Sequence, residues 1–248
     1  GFVGVRHSSH FGAAGYYANM ALREKMIGLA MCNVDPCMTA PGSRGKVLGT
    51  NPIAYAAPAG EEKPVFLDVA TSAVAATKIF SARALGKSVP DTWLVDAEGK
   101  PTTDPSHYPE EGAQLPMAGH KGYGLAILVE ILSGVLTGSA VMSQIVSWVA
   151  ETSEPTNEGH AFIAINIGAM MPIDEFGSRM DAMIREIKGA PKAAGVERIY
   201  LPGEMEWDRK VEAEEQGIFL PPDVIASLRG LGSDLKLDPV DYNLHFGA

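Results

Sequence analysis

Two histidines near the beginning of the chain, His7 and His10, are the residues whose type and spacing most directly suggest chemistry. They lie three positions apart in HSSHFGAAGYY, as metal ligands sometimes do, but a catalytic zinc site needs a third protein ligand and no HExxH motif supplies one. We therefore predict no metal site. A histidine can also transfer a proton near neutral pH. A structural histidine held by backbone hydrogen bonds suits His7, and spacing alone leaves both interpretations open for His10.

Three further segments place polar or charged groups where ligands could bind. In FLDVATS, Asp68 ends a candidate strand and could accept a hydrogen bond from a ribose, while Thr71 and Ser72 are interpreted as caps of a following helix. In GHKGYG, small residues permit close backbone approach and Lys121 adds charge at a helix beginning, which suits an anion. In LPGEMEW, Glu204 could contact a ligand or simply compensate a helix dipole.

The composition limits the partners that the chain can bind. A net charge of -10 over 248 residues argues against nucleic acid or an anionic membrane as the main partner. The sequence contains no run of roughly 18 apolar residues, so no membrane span is predicted. Cys32 and Cys37 lack the CxxC spacing and predict reduced thiols in a cytoplasmic protein.

The histidine segment lies between predicted elements of an α/β domain. Residues 2–5 suggest a strand, residues 13–25 a helix that Gly28 would end, and IGLAMCNV a second strand, which together give a βαβ-like beginning. His10 would then lie between a strand and a helix, where ligands commonly bind in α/β sheets. The clearest helix is GYGLAILVEILSGVLTG. Because no linker or repeat divides the chain, we predict one domain over residues 1–248.

Taken together, these segments resemble the malate/L-lactate dehydrogenase family of the second type, which is unrelated to the Rossmann-fold lactate and malate dehydrogenases. The matching segments, in the family's order, are VRHSSHFGAAGYY, LGTNPIAYAAP, FLDVATS, GKSVPDTWLVDAEGKPTTDP, GHKGYGLAILVEILSGVLTG, HAFIAIN and LPGE. The family includes ureidoglycolate, sulfolactate and malate dehydrogenases, diketogulonate reductase and cyclic imino-acid reductases. The resemblance implies a three-layer α/β/α fold with a mixed sheet, similar to L-sulfolactate dehydrogenase, and a homodimer.

The resemblance also implies a reaction and a role for each matched residue. Family members move a hydride between NAD(P)H and a small 2-oxo or 2-imino acid, so we expect an oxidoreductase that uses NAD or NADP. His10 is expected to protonate the carbonyl oxygen in reduction and to deprotonate the hydroxyl in oxidation. The other matched residues are expected to contact the cofactor: Asp68, Val69, Ala70, His120, Lys121, Gly203, Glu204 and Met205.

The sequence also departs from the family pattern. His7 and Ser8 replace a common asparagine and serine, and Val34 occupies a polar cofactor-contacting position. Family members carry roughly a hundred more N-terminal residues, a domain-sized region that includes a substrate-binding motif, and we expect this chain to lack it. Two alternative functions follow: a nucleotide-binding or dimerisation module without turnover, and a metal-dependent hydrolase that uses His7 and His10.

Overall fold

The computed structural model describes residues 1–151 and 153–238. The strands are β1 (Phe2–Ser8), β2 (Met26–Cys32), β3 (Ile53–Ala57), β4 (Val65–Val69), β5 (Leu94–Val95), β6 (Pro101–Thr102), β7 (Ala113–Gln114) and β8 (Glu158–Asn166). The helices are α1 (Ala14–Met20), α2 (Ala76–Ala84), α3 (His120–Val129), α4 (Ile173–Lys188), α5 (Glu204–Gln216) and α6 (Pro222–Asp234). A π-helical stretch, Glu130–Val135, continues α3.

Contacts divide the chain into two compact units, Gly1–Glu204 and Met205–Ala248. The first unit holds every strand described above and helices α1 to α4. In the second unit, α5 carries an ion pair between Lys210 and Glu214. The expected single domain stays a prediction. Within the described residues, no helix has the length and apolar character needed to cross a membrane.

The larger sheet has five strands in the order β1-β8-β2-β3-β4. Each of its four pairings is antiparallel. Since β1 and β2 both pair with β8, they run parallel to each other with β8 between them, which explains the βαβ-like beginning. The observed sheet therefore differs in detail from the expected mixed sheet. Strand β8, which comes from far along the chain, lies between the two parallel strands and pairs antiparallel with both. Within the described residues, parallel pairing occurs at an isolated bridge between Met38 and Gln114.

Helices cover both faces of this sheet, so the predicted three-layer α/β arrangement is confirmed. On one face, small side chains let α1 approach closely, and a Cβ atom on Gly28 would lie 2.3 Å from the carbonyl oxygen of Ala18. On the other face, Met31 and Ala161 of the sheet pack against Val129 of α3. The contact with α1 requires Gly28 within β2, so this glycine does not end the preceding helix as expected.

Thr71 and Ser72 do not cap a helix, contrary to the sequence-based interpretation. Helix α2 begins at Ala76, and its N-cap residue makes no side-chain hydrogen bond to the helix. The Thr71 hydroxyl instead donates to the carbonyl oxygen of Thr50 at 2.7 Å, and the Ser72 hydroxyl donates to that of Val74 at 2.8 Å. Both side chains therefore stabilise the segment that follows β4.

A second, three-stranded antiparallel sheet has the order β6-β5-β7. It lies in the long segment between α2 and α3, for which the sequence predicted little regular structure. Its core combines α2 with the sheet and consists of Val74, Ile79, Val89, Leu94 and Tyr108. This core holds the segments on either side of α2 against the beginning of α3.

Candidate active site

His10 lies in the loop between β1 and α1, as the sequence predicted, and its side chain is exposed. The backbone N–H of Gly12 donates to its Nδ1 atom at 3.3 Å. Its ring centroid lies 4.7 Å from that of Trp148. Because Nδ1 accepts a hydrogen bond, we assign the proton of the neutral ring to Nε2. None of the described residues hydrogen-bonds to Nε2, so this atom is available for proton transfer.

Asp68 connects the end of β4 to the helix that follows the His10 loop. Its Oδ2 atom accepts a hydrogen bond from the N–H of Gly15, in the first turn of α1, at 2.8 Å. Burial raises the pKa of the Asp68 carboxyl, and the hydrogen bond from Gly15 opposes this increase. A Cβ atom at position 15 would lie 2.4 Å from the ring of Phe66, so glycine permits this close contact. The predicted cofactor segment is thus hydrogen-bonded to the helix that directly follows the His10 loop.

The residues after β4 also contact the beginning of α3, which brings two predicted cofactor segments together. The N–H of Met117 donates to the carbonyl oxygen of Thr71 at 2.9 Å, and the N–H of Ala73 donates to that of Leu115 at 2.7 Å. A Cβ atom on Gly122 would lie 2.3 Å from the carbonyl oxygen of Met117 and 2.8 Å from that of Thr71. The residues that follow Val69 and Ala70 are therefore hydrogen-bonded to those that precede His120 and Lys121.

A cavity of about 420 Å³ borders both of these segments. Its walls are Ala73, Thr92, Trp93 and residues 115–119. Ala118 and Gly119 both have positive φ angles, of 48° and 61°, so the chain turns sharply just before α3 begins. His120 and Lys121 follow in the first turn of this ten-residue helix, and both are exposed.

In the third predicted cofactor segment, Gly203 and Glu204 already contact other residues of the fold. Gly203 has a φ angle of 88°, and a Cβ atom there would lie 2.7 Å from the Cβ and carbonyl oxygen of Phe66 in β4. The Glu204 carboxylate is buried and already has partners: Lys188 at 2.5 Å, Arg198 at 2.6 Å and the N–H of Leu201 at 3.0 Å.

The Glu204 carboxylate is therefore held in its ionised form. Burial alone would raise its pKa, but the hydrogen bonds from Lys188 and Arg198 lower it to about 2. Met205 is the first residue of the second unit, and 46% of its surface is exposed. A cofactor role for Gly203, Glu204 or Met205 stays a prediction.

The fold also contains a buried polar network around Glu130 that the sequence pattern does not predict. One Glu130 oxygen accepts hydrogen bonds from the Asn33 amide at 3.2 Å and the Met142 N–H at 2.8 Å, and the other accepts from the Asn51 amide at 2.7 Å. The Asn33 carbonyl in turn accepts from the Gly159 N–H at 2.8 Å. The network connects the π-helical stretch to β8 and to the residues that follow β2 and precede β3. The indication of this network in the sequence is the single glutamate within the apolar run AILVEILSGV.

Two further buried polar residues, Glu158 and His160, lie on β8 and were also missed. Burial raises the pKa of the Glu158 carboxyl to about 7; the Cys32 thiol, 3.7 Å from its Oε2 atom, opposes the increase and Asp35 adds to it. Among the residues that the structure describes, none is a hydrogen-bond partner of Glu158 Oε1 or of either ring nitrogen of His160. In the part of the chain that the structure describes, no three His, Cys, Asp or Glu side chains are grouped to hold a metal ion.

Comparisons with known proteins agree with the arrangement of these segments. A sequence model of the malate/L-lactate dehydrogenase family matches residues 1–229. The chain is 37% identical to L-sulfolactate dehydrogenase of Methanothermobacter thermautotrophicus over 238 residues, which cover 96% of this chain and 67% of the relative. It is 42% identical to malate dehydrogenase of Pyrococcus abyssi over 212 residues, which cover 82% and 57%.

A solved structure is similar over nearly the whole chain. Sulfolactate dehydrogenase of Methanocaldococcus jannaschii matches with a TM-score of 0.88 and 38% identity, over 98% of this chain and 69% of that one. Across these three proteins, the chain spans between 57% and 69% of the relative's length.

Proposed function

Because the chain belongs to the malate/L-lactate dehydrogenase family, we propose that it is an oxidoreductase that transfers a hydride between NAD or NADP and a small 2-hydroxy or 2-oxo acid, or a cyclic imino acid. The observation that supports this most directly is the hydrogen bond from Gly15 to Asp68. It joins α1, which directly follows the loop of the exposed His10, to the segment that we propose binds the cofactor. Malate and sulfolactate, the substrates in the relatives' names, are the first candidates.

We propose that a dinucleotide binds along the 420 Å³ cavity and the beginning of α3 that follows it in the chain. Trp93 offers an apolar surface to a flat ring, and Lys121, in the first turn of α3, offers positive charge to a phosphate. Asp68 uses Oδ2 for Gly15, so we assign Oδ1 to a ribose hydroxyl. Val69, Ala70 and His120 would complete this site. When bound, the nicotinamide supplies or accepts the hydride.

In the proposed mechanism, His10 handles the proton that accompanies the hydride. In reduction, the protonated ring donates its Nε2 proton to the carbonyl oxygen and keeps the proton on Nδ1. In oxidation, the neutral ring with its proton on Nδ1 accepts the hydroxyl proton at Nε2. Protonation of Nδ1 would displace the hydrogen bond from Gly12, so the charge of the ring and the conformation of the loop are linked. Nε2 is the atom that we propose faces the substrate.

The test compares His10→Asn with the matched variant His7→Asn. We expect His10→Asn to lower kcat with a 2-oxo or imino acid by about 10²- to 10⁴-fold and to leave NAD(P)H binding unchanged, because only the proton donor is lost. His7→Asn should keep activity, since asparagine tolerates the positive φ of 54° at that position. Turnover that survives His10→Asn would exclude this mechanism.

The second candidate function is a nucleotide-binding or dimerisation module without turnover. It predicts that NADH or NADPH binds, with enhanced nicotinamide fluorescence, but that no 2-oxo or cyclic imino acid oxidises it. An exposed apolar face of the α3 helix and its π-helical continuation favours a dimerisation role; it comprises Leu125, Leu128, Ile131, Val135 and Leu136. A substrate scan after the binding measurement separates the two candidates.

We also propose that the protein forms a homodimer through this apolar face. Exposed apolar patches of this kind commonly mark protein–protein contacts. Phe2 and Val3 of the edge strand β1 are likewise exposed. A cytoplasmic location is proposed as well, which suits the free cysteines Cys32 and Cys37.

A further inference from the structure

The ring of Phe11, next to His10 in the chain, is stacked between two other rings. Its centroid lies 4.8 Å from that of Tyr17, at an interplanar angle of 11°, and 4.3 Å from that of His160, at 19°. The Tyr17 hydroxyl also donates to the backbone carbonyl of Phe11 at 3.0 Å. Both the side chain and the backbone of the residue after His10 are therefore fixed.

His160 is an unexpected residue for this position because it is 2% exposed. Neither of its ring nitrogens has a hydrogen-bond partner among the described residues. Burying a polar group without a partner is costly, and a phenylalanine would fill an apolar stacking position without that cost. What His160 contributes here is therefore its flat ring, stacked on that of Phe11.

The surroundings of His160 favour its uncharged form. Burial lowers the pKa of the imidazole, its contact with the Ser9 backbone raises it, and the charge of His10 lowers it further. The titratable groups that face it from its own strand and its neighbours are Glu158 on β8, Cys32 on β2 and His10 in the loop. From β1 it is paired with the uncharged Val5. A proton on His10 thus disfavours a second proton on His160.

We infer that His160 is a positioning residue for the proposed reaction: together with Tyr17 it clamps Phe11, and through Phe11 it fixes the loop that presents His10. The inference rests on the proposed function for its effect on turnover, but the clamp itself is independent of turnover. A displacement of a catalytic group by about 1 Å can cost a large factor in rate. A loosened clamp should therefore lower kcat more than it weakens cofactor binding.

The kinetic test compares His160→Ala with His160→Phe. We expect His160→Ala to lower kcat about tenfold or more, with the Kd for NAD(P)H within about twofold, because His10 is no longer held. His160→Phe restores the stacked ring and should recover most of kcat. Equal kcat for the wild type and a folded His160→Ala protein would overturn the inference.

A second test needs no turnover and uses Trp148, whose ring lies 4.7 Å from that of His10. The chain has three tryptophans, and Trp93→Phe with Trp207→Phe leaves Trp148 alone. A protonated imidazole quenches an adjacent indole, so fluorescence should fall as His10 is protonated, and His10→Asn should abolish the change. We expect His160→Ala to lose at least half of the amplitude and His160→Phe to keep it.

The two tests separate the inference from the proposed function. If His160→Ala reduces the fluorescence amplitude but no substrate is turned over, the clamp is supported and the proposed function fails. If the amplitude is unchanged in a folded His160→Ala protein, the clamp is wrong whatever the enzyme does.

Discussion

At the scale of single residues, the site contains two histidines with opposite environments. His10 is exposed and accepts a weak hydrogen bond at one ring nitrogen, whereas His160 is buried and its ring nitrogens have no such partner in the described part of the chain. The first environment permits proton exchange with a ligand, and the second keeps a ring uncharged. The sequence predicts the first residue because a strand–loop–helix junction marks it. It does not predict the second, because a histidine within HAFIAIN follows the same pattern as a core residue.

Glu158 should make the stability of the protein depend on pH in an unusual direction. Its carboxyl is fully buried, and burial raises its pKa from 4.5 to about 7. A raised pKa means that the folded state binds the proton more tightly than the unfolded state does. The resulting stabilisation is complete below pH 4.5 and is lost as pH rises towards 7, by about 3 kcal/mol.

Urea unfolding of Glu158→Gln and of the wild type across pH 4 to 8 measures this effect. Glutamine keeps the shape of a protonated glutamate, so the variant should match the wild type at low pH and exceed its free energy of unfolding above pH 7. Glu98→Gln, at an exposed position, is the matched control and should parallel the wild type throughout. Parallel curves for Glu158→Gln and the wild type would contradict the prediction.

At the scale of elements, the beginning of α3 is held against the segment after β4 by a contact that requires glycine. A Cβ atom at position 122 would lie 2.3 Å from one carbonyl oxygen and 2.8 Å from another, both backbone atoms that cannot move independently. Gly124, two residues further along the helix, has nothing within 4 Å of its Cβ position. The two glycines form a matched pair within one helix.

We expect Gly122→Ala to weaken NAD(P)H binding at least about tenfold, because it would move α3 away from the segment that follows Val69 and Ala70. It should also destabilise the protein, since overpacking of this kind costs about 1–3 kcal/mol. Gly124→Ala should keep binding and stabilise the helix by about 0.5–1 kcal/mol. Isothermal titration and urea unfolding measure both effects. Equal nucleotide affinities for the two variants would show that the contact does not shape the cofactor site.

The sequence predicts where helices lie along the chain better than it predicts which distant residues they contact. The helix that begins at His120 is evident from its apolar stripe, yet its glutamate at position 130 belongs to a network with Asn33 and Asn51 from distant segments. Similarly, Thr71 suggests a helix cap because that role is local, whereas its actual partner, Thr50, lies 21 positions earlier. The position of β8 could not be predicted for the same reason, since it lies between strands that precede it by more than a hundred residues.

At the scale of the whole molecule, the apolar face of α3 and the π-helical stretch is an apolar surface that the described fold leaves exposed. Leu128, Ile131, Val135 and Leu136 are 44%, 47%, 63% and 60% exposed. Leucine and valine side chains at this level of exposure stabilise the folded state little, but they would contribute if a second copy covered them. The net charge of -10 disfavours non-specific association, so a dimer would need this apolar contact.

Light scattering on the wild type should therefore give about twice the chain mass of 26.3 kDa. The double variant Leu128→Glu with Val135→Glu should give a monomer, because two buried, unpaired carboxylates would oppose the contact. Leu85→Glu introduces the same charge at a position that is 63% exposed on a different surface and should leave the dimer intact. A wild-type monomer, or a dimer that survives the double variant, would exclude this face as the interface.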